Sequence, residues 1–258
     1  MSVAYFFIFL FSCMIGAVVG LGGGVIIRPI LDAIDYHNVM NIAFLSSSAV
    51  LIMAVVSTVK KVQDGTKINA LTATLVSVGA FIGGILGNLL LEYFVYVFYP
   101  ETRVQMIQTI FTIIILTVAV YLTYKNNIRY EITNKIFFPF LGVFLGAAAV
   151  FLGIGGGPLN VPVFMILFNL PVKQATAYSI VVIFFSHLFR IITMGFTVGF
   201  AYFDLQYLIV IIPAAILGGV IGAIISKKIA DDTVRKAFMV TLSIIVLINI
   251  YNAYTFMV

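Results

Sequence analysis

Tryptophan is absent from this chain, cysteine occurs once, histidine twice, and charge is scarce: 14 Lys and Arg and 9 Asp and Glu among 258 residues. Charged side chains make up 9% of the sequence, where about a quarter is usual in soluble domains. A water-soluble globule of this length needs a polar skin, and these residues are too few to supply one. A soluble enzyme is therefore excluded. Disorder is excluded too, since it demands low hydrophobicity and high charge. The lone Cys13 rules out an internal disulfide and a cysteine metal cluster. The shortage of acids argues against a cation pump, whose path through the membrane needs carboxylates. Leu10-Phe11-Ser12-Cys13 resembles a lipoprotein cleavage box but has no basic stretch before it, and reads as part of a membrane segment.

What is abundant is apolar side chains, 63% of the total, with a mean hydropathy of +1.20. The apolar runs are continuous, as over 109–120 and 209–225, rather than alternating. They predict membrane helices and not the period-two strands of a barrel. The formal charge is +5. In a soluble domain this would suggest nucleic acid; in a membrane chain it marks the loops held on the inner side. The expected partners are a lipid bilayer and a small solute, with no nucleic acid, cofactor or resident metal.

The two halves resemble each other. Gly20-Leu21-Gly22-Gly23-Gly24, with Pro29 after it, matches Gly153-Ile154-Gly155-Gly156-Gly157, with Pro162 after it. Ala43-Phe44-Leu45-Ser46-Ser47 matches Ala175-Thr176-Ala177-Tyr178-Ser179, and Gly83-Gly84-Ile85-Leu86-Gly87 matches Gly218-Gly219-Val220-Ile221-Gly222. Three matches in one order at a nearly constant offset indicate a duplicated unit. The expected organisation is a first membrane repeat over 1–124, a polar cytoplasmic linker over 125–135 and a second repeat over 136–258.

Each unit opens with an apolar stretch broken by the glycines and proline. The piece after each break is too short for the ~20 residues a crossing needs. It is either half of a broken crossing, giving parallel repeats, or the return arm of a hairpin, giving inverted ones. Charge decides. With the loop after residue 59 inside, hairpins put eleven cations inside (Lys60, Lys61, Lys67, Lys125, Arg129, Lys135, Lys173, Lys227, Lys228, Arg235 and Lys236) and only Arg103 outside. Broken crossings split them evenly. The predicted fold is an all-α polytopic membrane protein of two inverted repeats, each a broken, re-entrant-like helical hairpin plus three transmembrane helices, with both termini outside.

Glycine runs unwind a helix and leave N–H groups free at the start of the next half-helix, where partial positive charge favours anions. Bare backbone at membrane depth is tolerable only where it lines a cavity or is buried in protein. Two matching breaks therefore predict a shared anion site from Gly22, Gly23, Gly24, Gly155, Gly156 and Gly157, the competing reading being close helix packing. Gly20, Pro29, Gly153 and Pro162 are the expected hinges. Arg28 is either an anion contact or the partner of Asp32 one turn on. Asn160 and Pro158 are the marks at the matching place in the second half, where Val161 replaces the arginine. His187 and Arg190 share a helix face; the histidine also fits a satisfied core residue, and the arginine a side chain reaching for the outer surface. Ser46, Ser47, Ser48, Tyr178 and Ser179 follow the breaks at matching positions. Their hydroxyls either donate to an oxyanion or bond back to their own helix. Of the acids, only Asp32 is expected near the site.

With these motifs on the page, the chain resembles the TauE/SafE sulfite exporter family, the TSUP permeases, over nearly its whole length. The duplicated Gly-x-Gly-Gly-Gly turn with its proline, the Ala-x-x-Ser/Tyr-Ser stretch and the Gly-Gly-x-x-Gly helix carry the resemblance. It implies a permease in the cell membrane that exports sulfite, sulfoacetate or a related organosulfonate. Tyr178 stands where members commonly carry Thr, with Ser46 in the matching place of the first half. An inside-negative potential favours anion exit by ~2.3 kcal/mol per charge per 100 mV, so export needs no coupling ion. Two alternatives compete: an intramembrane Ser/His hydrolase using Ser179 or Ser46 with His187, and a transporter of another solute such as a metal ion. The second predicts clustered ligands, whereas Met14, Met40, Met165 and Met194 are scattered. The Gly83/Gly87 pair fits helix packing within one chain or in a homodimer.

Overall fold

The computed structural model describes residues 2–34, 36–66, 69–125, 130, 132, 134–154 and 156–256. Gly155, Lys67, Arg129 and most of the 125–135 linker lie outside them. The described residues form ten α-helices and no strand: α1 (Ser2–Val19), α2 (Gly24–Ile34), α3 (Val39–Gln63), α4 (Ala70–Val97), α5 (Thr102–Lys125), α6 (Phe137–Leu152), α7 (Gly157–Leu167), α8 (Val172–Thr197), α9 (Leu208–Lys228) and α10 (Asp231–Thr255). Single-turn helices, Phe200–Tyr202 and Leu205–Tyr207, join α8 to α9.

Six helices, α3, α4, α5, α8, α9 and α10, are long and apolar enough to cross a membrane. The helices start and stop where the sequence provides partners. Asn38 Oδ1 accepts the Asn41 N–H at 2.8 Å to cap α3, and Asn69 Oδ1 accepts the Thr72 N–H at 3.1 Å to cap α4. α1 and α6 end where the chain enters the left-handed region, at Gly20 (φ 77°) and the equivalent Gly153 (φ 66°). A side chain is strained in that conformation and glycine is not. α2 and α7 then begin at equivalent glycines, run 11 residues each and carry their prolines at the same sixth position.

Both short arms turn back. Tyr5 at the start of α1 meets His37 beyond the end of α2, ring centroids 5.9 Å apart and edge to face. Phe138 at the start of α6 meets Phe168 at the end of α7 at 5.0 Å. Each broken stretch thus begins and ends at one end of the bundle, and the two stretches use opposite ends. The α7 end carries Lys61, Lys173 and Lys227; the α2 end carries His37, Asn38, Glu101 and Asp204.

The packing repeats itself. α6 lies on α4 as α1 lies on α9, α4 on α8 as α9 on α3, and α5 on α7 as α10 on α2. α3 and α8 pair with each other and run antiparallel: Lys61 at the end of α3 reaches Thr176 near the start of α8, while Asn41 at the start of α3 accepts the N–H of Asp204, beyond the end of α8. In a bilayer lipid is as apolar as leucine, so helices are held by close backbone approach. Gly79, Gly83 and Gly87 of α4 face the backbone of Pro139, Val143 and Ala147, and a methyl group at Gly87 would lie 2.5 Å from Ala147 O. Gly218 and Gly222 face Leu10 and Met14 of α1 in the same way. The Gly83/Gly87 pair is therefore spent within the chain, on α6.

Candidate functional site

The two breaks meet. A methyl group at Gly24 would lie 3.4 Å from Gly153 O, and one at Gly157 would run into the backbone of Gly20 and Leu21. Each half-helix N-terminus thus lies against the C-terminal turn of the other hairpin's first arm, so the partial charges of the breaks partly offset one another. Gly20 and Leu21 donate to Gly16 O, and Ile26 and Ile27 to Gly23 O. Gly23 and the equivalent Gly156 are left-handed, at φ 56° and 74°. Gly22 also has positive φ, at 80°. The close-packing reading of the glycines is therefore part of the answer, and the free amides expected from the sequence are fewer than two bare helix ends would offer.

The unpaired donors at this level are side chains. Arg190, on α8, is wholly buried, and among the described residues none of its three guanidinium nitrogens finds a partner. It does not reach the outer surface. His187, one turn before it, is equally buried, and neither ring nitrogen is bonded. Asn160 of α7 is 1% exposed with its amide unpartnered, folded back over the second break so that a methyl group at Gly156 would lie 3.3 Å from Nδ2. Ser46 and Ser47 of α3 have unbonded hydroxyls, and Ser46 Oγ would lie 3.2 Å from a methyl group at Gly24. The antiparallel register of α3 on α8, with Val50 and Ala54 clustered against Ile180 and Ile183, brings Ser46 and Ser47 level with His187.

Arg28 makes the pair with Asp32 and keeps one donor free. Its Nε pairs with Asp32 at 3.4 Å and its Nη2 donates to Gln108 Oε1, while Nη1 stays unpaired beside Gly153. Gln108 Nε2 donates in turn to Phe151 O, tying α2 through α5 to the last turn of α6. Arg28 and Arg190 are close enough to repel, and Glu92 of α4 is close enough to attract Arg190. Asp32 is therefore not the only acid at the site. Glu92 accepts from Asn88 and from Thr197, each at 2.6 Å, and makes no ion pair with Arg190.

Three of the expected hydroxyls are committed elsewhere. Ser48 Oγ donates to Phe44 O at 2.9 Å, the ordinary bond back to its own helix. Ser179 Oγ donates to Gly20 O at 2.7 Å, clamping the first break to α8. Tyr178 OH accepts the Asn69 N–H at 2.5 Å at the basic end, and its ring packs on Phe164. Pro29 and Pro162 sit inside the return arms, where the Pro29 carbonyl accepts from Asn252 of α10 at 2.8 Å. Sequence reasoning missed Gln108 and Glu92, because a polar residue in a membrane helix stands out without naming its partner.

A chain with six membrane-length helices, two interlocked broken hairpins and a buried arginine that makes no ion pair among the described residues is a multi-pass membrane protein. The profile of the family described as sulfite exporter TauE/SafE matches residues 5–249, and the chain belongs to that family. Its relatives include the "Probable membrane transporter protein YunE" of Bacillus subtilis (strain 168), 32% identical over 116 residues. That match spans 45% of this chain and 40% of the relative's length. No solved structure matches.

Proposed function

We propose that the chain is a plasma-membrane permease that exports a small sulfur-containing anion, sulfite, sulfoacetate or a related organosulfonate. In this reading the two repeats are inverted, the basic end faces the cytoplasm and both termini lie outside. The antiparallel α3–α8 pair and the swapped packing of the hairpins support the inversion. The anion binds near the midplane, where the two Gly-rich hairpins meet.

The observation that carries the reading is the guanidinium of Arg190, buried with no hydrogen bond and no ion pair among the described residues. A lone cation in a bilayer costs at least ~2.5–3.5 kcal/mol on insertion scales. An oxyanion repays that cost through charge-assisted hydrogen bonds, which suit the planar fork of arginine. His187, one turn from Arg190, and Asn160, Ser46 and the free Nη1 of Arg28, beside the breaks, are further unpaired polar groups. The hydrolase alternative lacks its dyad: Ser179 Oγ is on Gly20 O, and His187 has no bonded partner. The metal alternative lacks a ligand cluster, since no group of three His, Cys, Asp or Glu gathers among the described residues.

The test is sulfite efflux from proteoliposomes. Wild type is expected to respond to an imposed voltage and to ignore a pH gradient. Arg190→Met is expected to lose at least about tenfold in flux, the scale of one charge-assisted hydrogen bond. Strict proton dependence, or undiminished flux in the variant, would defeat the reading.

A further inference from the structure

A third buried cation, after Arg28 and Arg190, belongs to none of the arrangements above. Lys61, in the last turn of α3, is 6% exposed. Its Nζ donates to Thr176 Oγ1 at 3.2 Å and to Ser226 Oγ at 3.4 Å. Among the described residues it has no carboxylate partner. The nearby Asp64 is held by Lys227 at 2.8 Å.

Lys61 does not serve the carbonyls at the end of α1. Val18 O is taken by Ser226 at 3.2 Å, and Gly16 O accepts two amides. Thr176 Oγ1 donates to Lys173 O at 2.7 Å, so lone pairs of both hydroxyls are left to face the ammonium. Two of its three N–H bonds are thereby used.

The third has somewhere to go. Lys61 lines a cavity of about 150 Å³ at the basic end, with Lys173, Lys227, Asp64 and Ser226 on its walls. Lys227 is paired with Asp64 at 2.8 Å and Lys173 with Asp231 at 3.9 Å, so the unpaired ammonium of Lys61 leaves this cavity positive. It has room for several waters or one small oxyanion. Thr176 links it to the transport axis: a methyl group at Gly20 would lie 2.6 Å from Thr176 Cβ, and Ser179 clamps the same glycine one turn deeper.

We propose that Lys61, with Lys173 and Lys227 at the rim, binds a small oxyanion at the basic end, as the loading site from which the anion passes over the first break to Arg190. The loading role rests on the permease reading; anion binding at Lys61 does not.

Sulfite uptake into inside-out membrane vesicles and sulfite efflux from intact cells test the role. Lys61→Met, close in volume and uncharged, is expected to raise KM about tenfold from the basic side with kcat little changed, and Lys61→Arg is expected to restore it. Lys173→Gln and Lys227→Gln, at more exposed positions, are expected to raise it a few-fold, and to keep the test open if Lys61→Met does not fold. Unchanged KM from the basic side in these variants, with wild type moving sulfite, would overturn the loading site and leave the permease reading standing. If wild type moves no sulfite, thermal stabilisation of the purified protein by sulfate, phosphate and chloride at constant ionic strength decides. Stabilisation by any of these anions that disappears in Lys61→Met upholds the anion site while the sulfur-substrate reading falls. No stabilisation of wild type by any of the three overturns the site.

Discussion

Whether a hydroxyl at membrane depth is a tool or a fastening depends on where its proton points. Ser179 and Ser48 occupy similar surroundings in sequence, each in an apolar helix just after a break. Ser48 bonds to Phe44 O within its own helix, while Ser179 bonds to Gly20 O across 159 residues. Ser179→Ala removes a buried bond between elements and leaves Gly20 O one donor short. It is expected to cost about 1 kcal/mol and lower the melting temperature. Ser48→Ala is expected to leave the melting temperature unmoved, because Phe44 O sits inside a helical ladder. Equal effects from the two would contradict the clamp. The same logic separates the arginines: Arg28 is part-paired to Asp32, and the guanidinium of Arg190 has no bonded partner among the described residues.

The short arms α2 and α7 are matched in length, proline position and entry geometry, yet their neighbours differ. Gly24 is faced by side-chain atoms, Val50 Cγ2 at 3.1 Å and Ser46 Oγ at 3.2 Å from a would-be methyl group. Both can shift by a few tenths of an ångström. Gly157 is faced by the backbone of Gly20 and Leu21, which cannot shift without moving the other hairpin. Gly157→Ala is expected to cost about 1–3 kcal/mol, as overpacking does, and to lose sulfite flux with it. Gly24→Ala is expected to melt near wild type. Differential scanning fluorimetry on the two purified variants checks the order. Much of this element scale is legible in the sequence: the breaks, the prolines and the shortness of the arms are written in glycine spacing and run length. The interlock is not, because contacts between backbones carry no side-chain signature.

Across the whole molecule, charge sorts the two ends. Lys227 bonds Asp64 from α9 across to the C-cap of α3, and this hydrogen bond holds the Asp64 carboxyl below the usual carboxylate range. A carboxyl depressed in the folded state adds stability above its unfolded pKa, about 3.9. That stability fades as pH falls through the lower folded value. Asp64→Asn is therefore expected to melt below wild type at neutral pH and to converge with it as pH drops beneath about 3.9. High salt is expected to narrow the gap, since the pair is near the surface. A gap that widens on acidification would contradict the assignment.

Composition, run length and internal repetition were enough to predict helices of membrane length and the two glycine-rich breaks, because hydrophobic length and glycine runs act locally and leave a local trace. The sequence also singled out Arg190, His187, Asn160 and the serines, since a polar residue in an apolar run stands out by itself. Which of these stay unpaired was settled by the packing of α3 against α8 and of each hairpin against the other. Ser47 and Ser179 answer to one another across the duplication, but the hydroxyl of one is unbonded and that of the other donates to the carbonyl of Gly20. That difference arises from helix rotation and from partners far away in the chain, which no local pattern encodes.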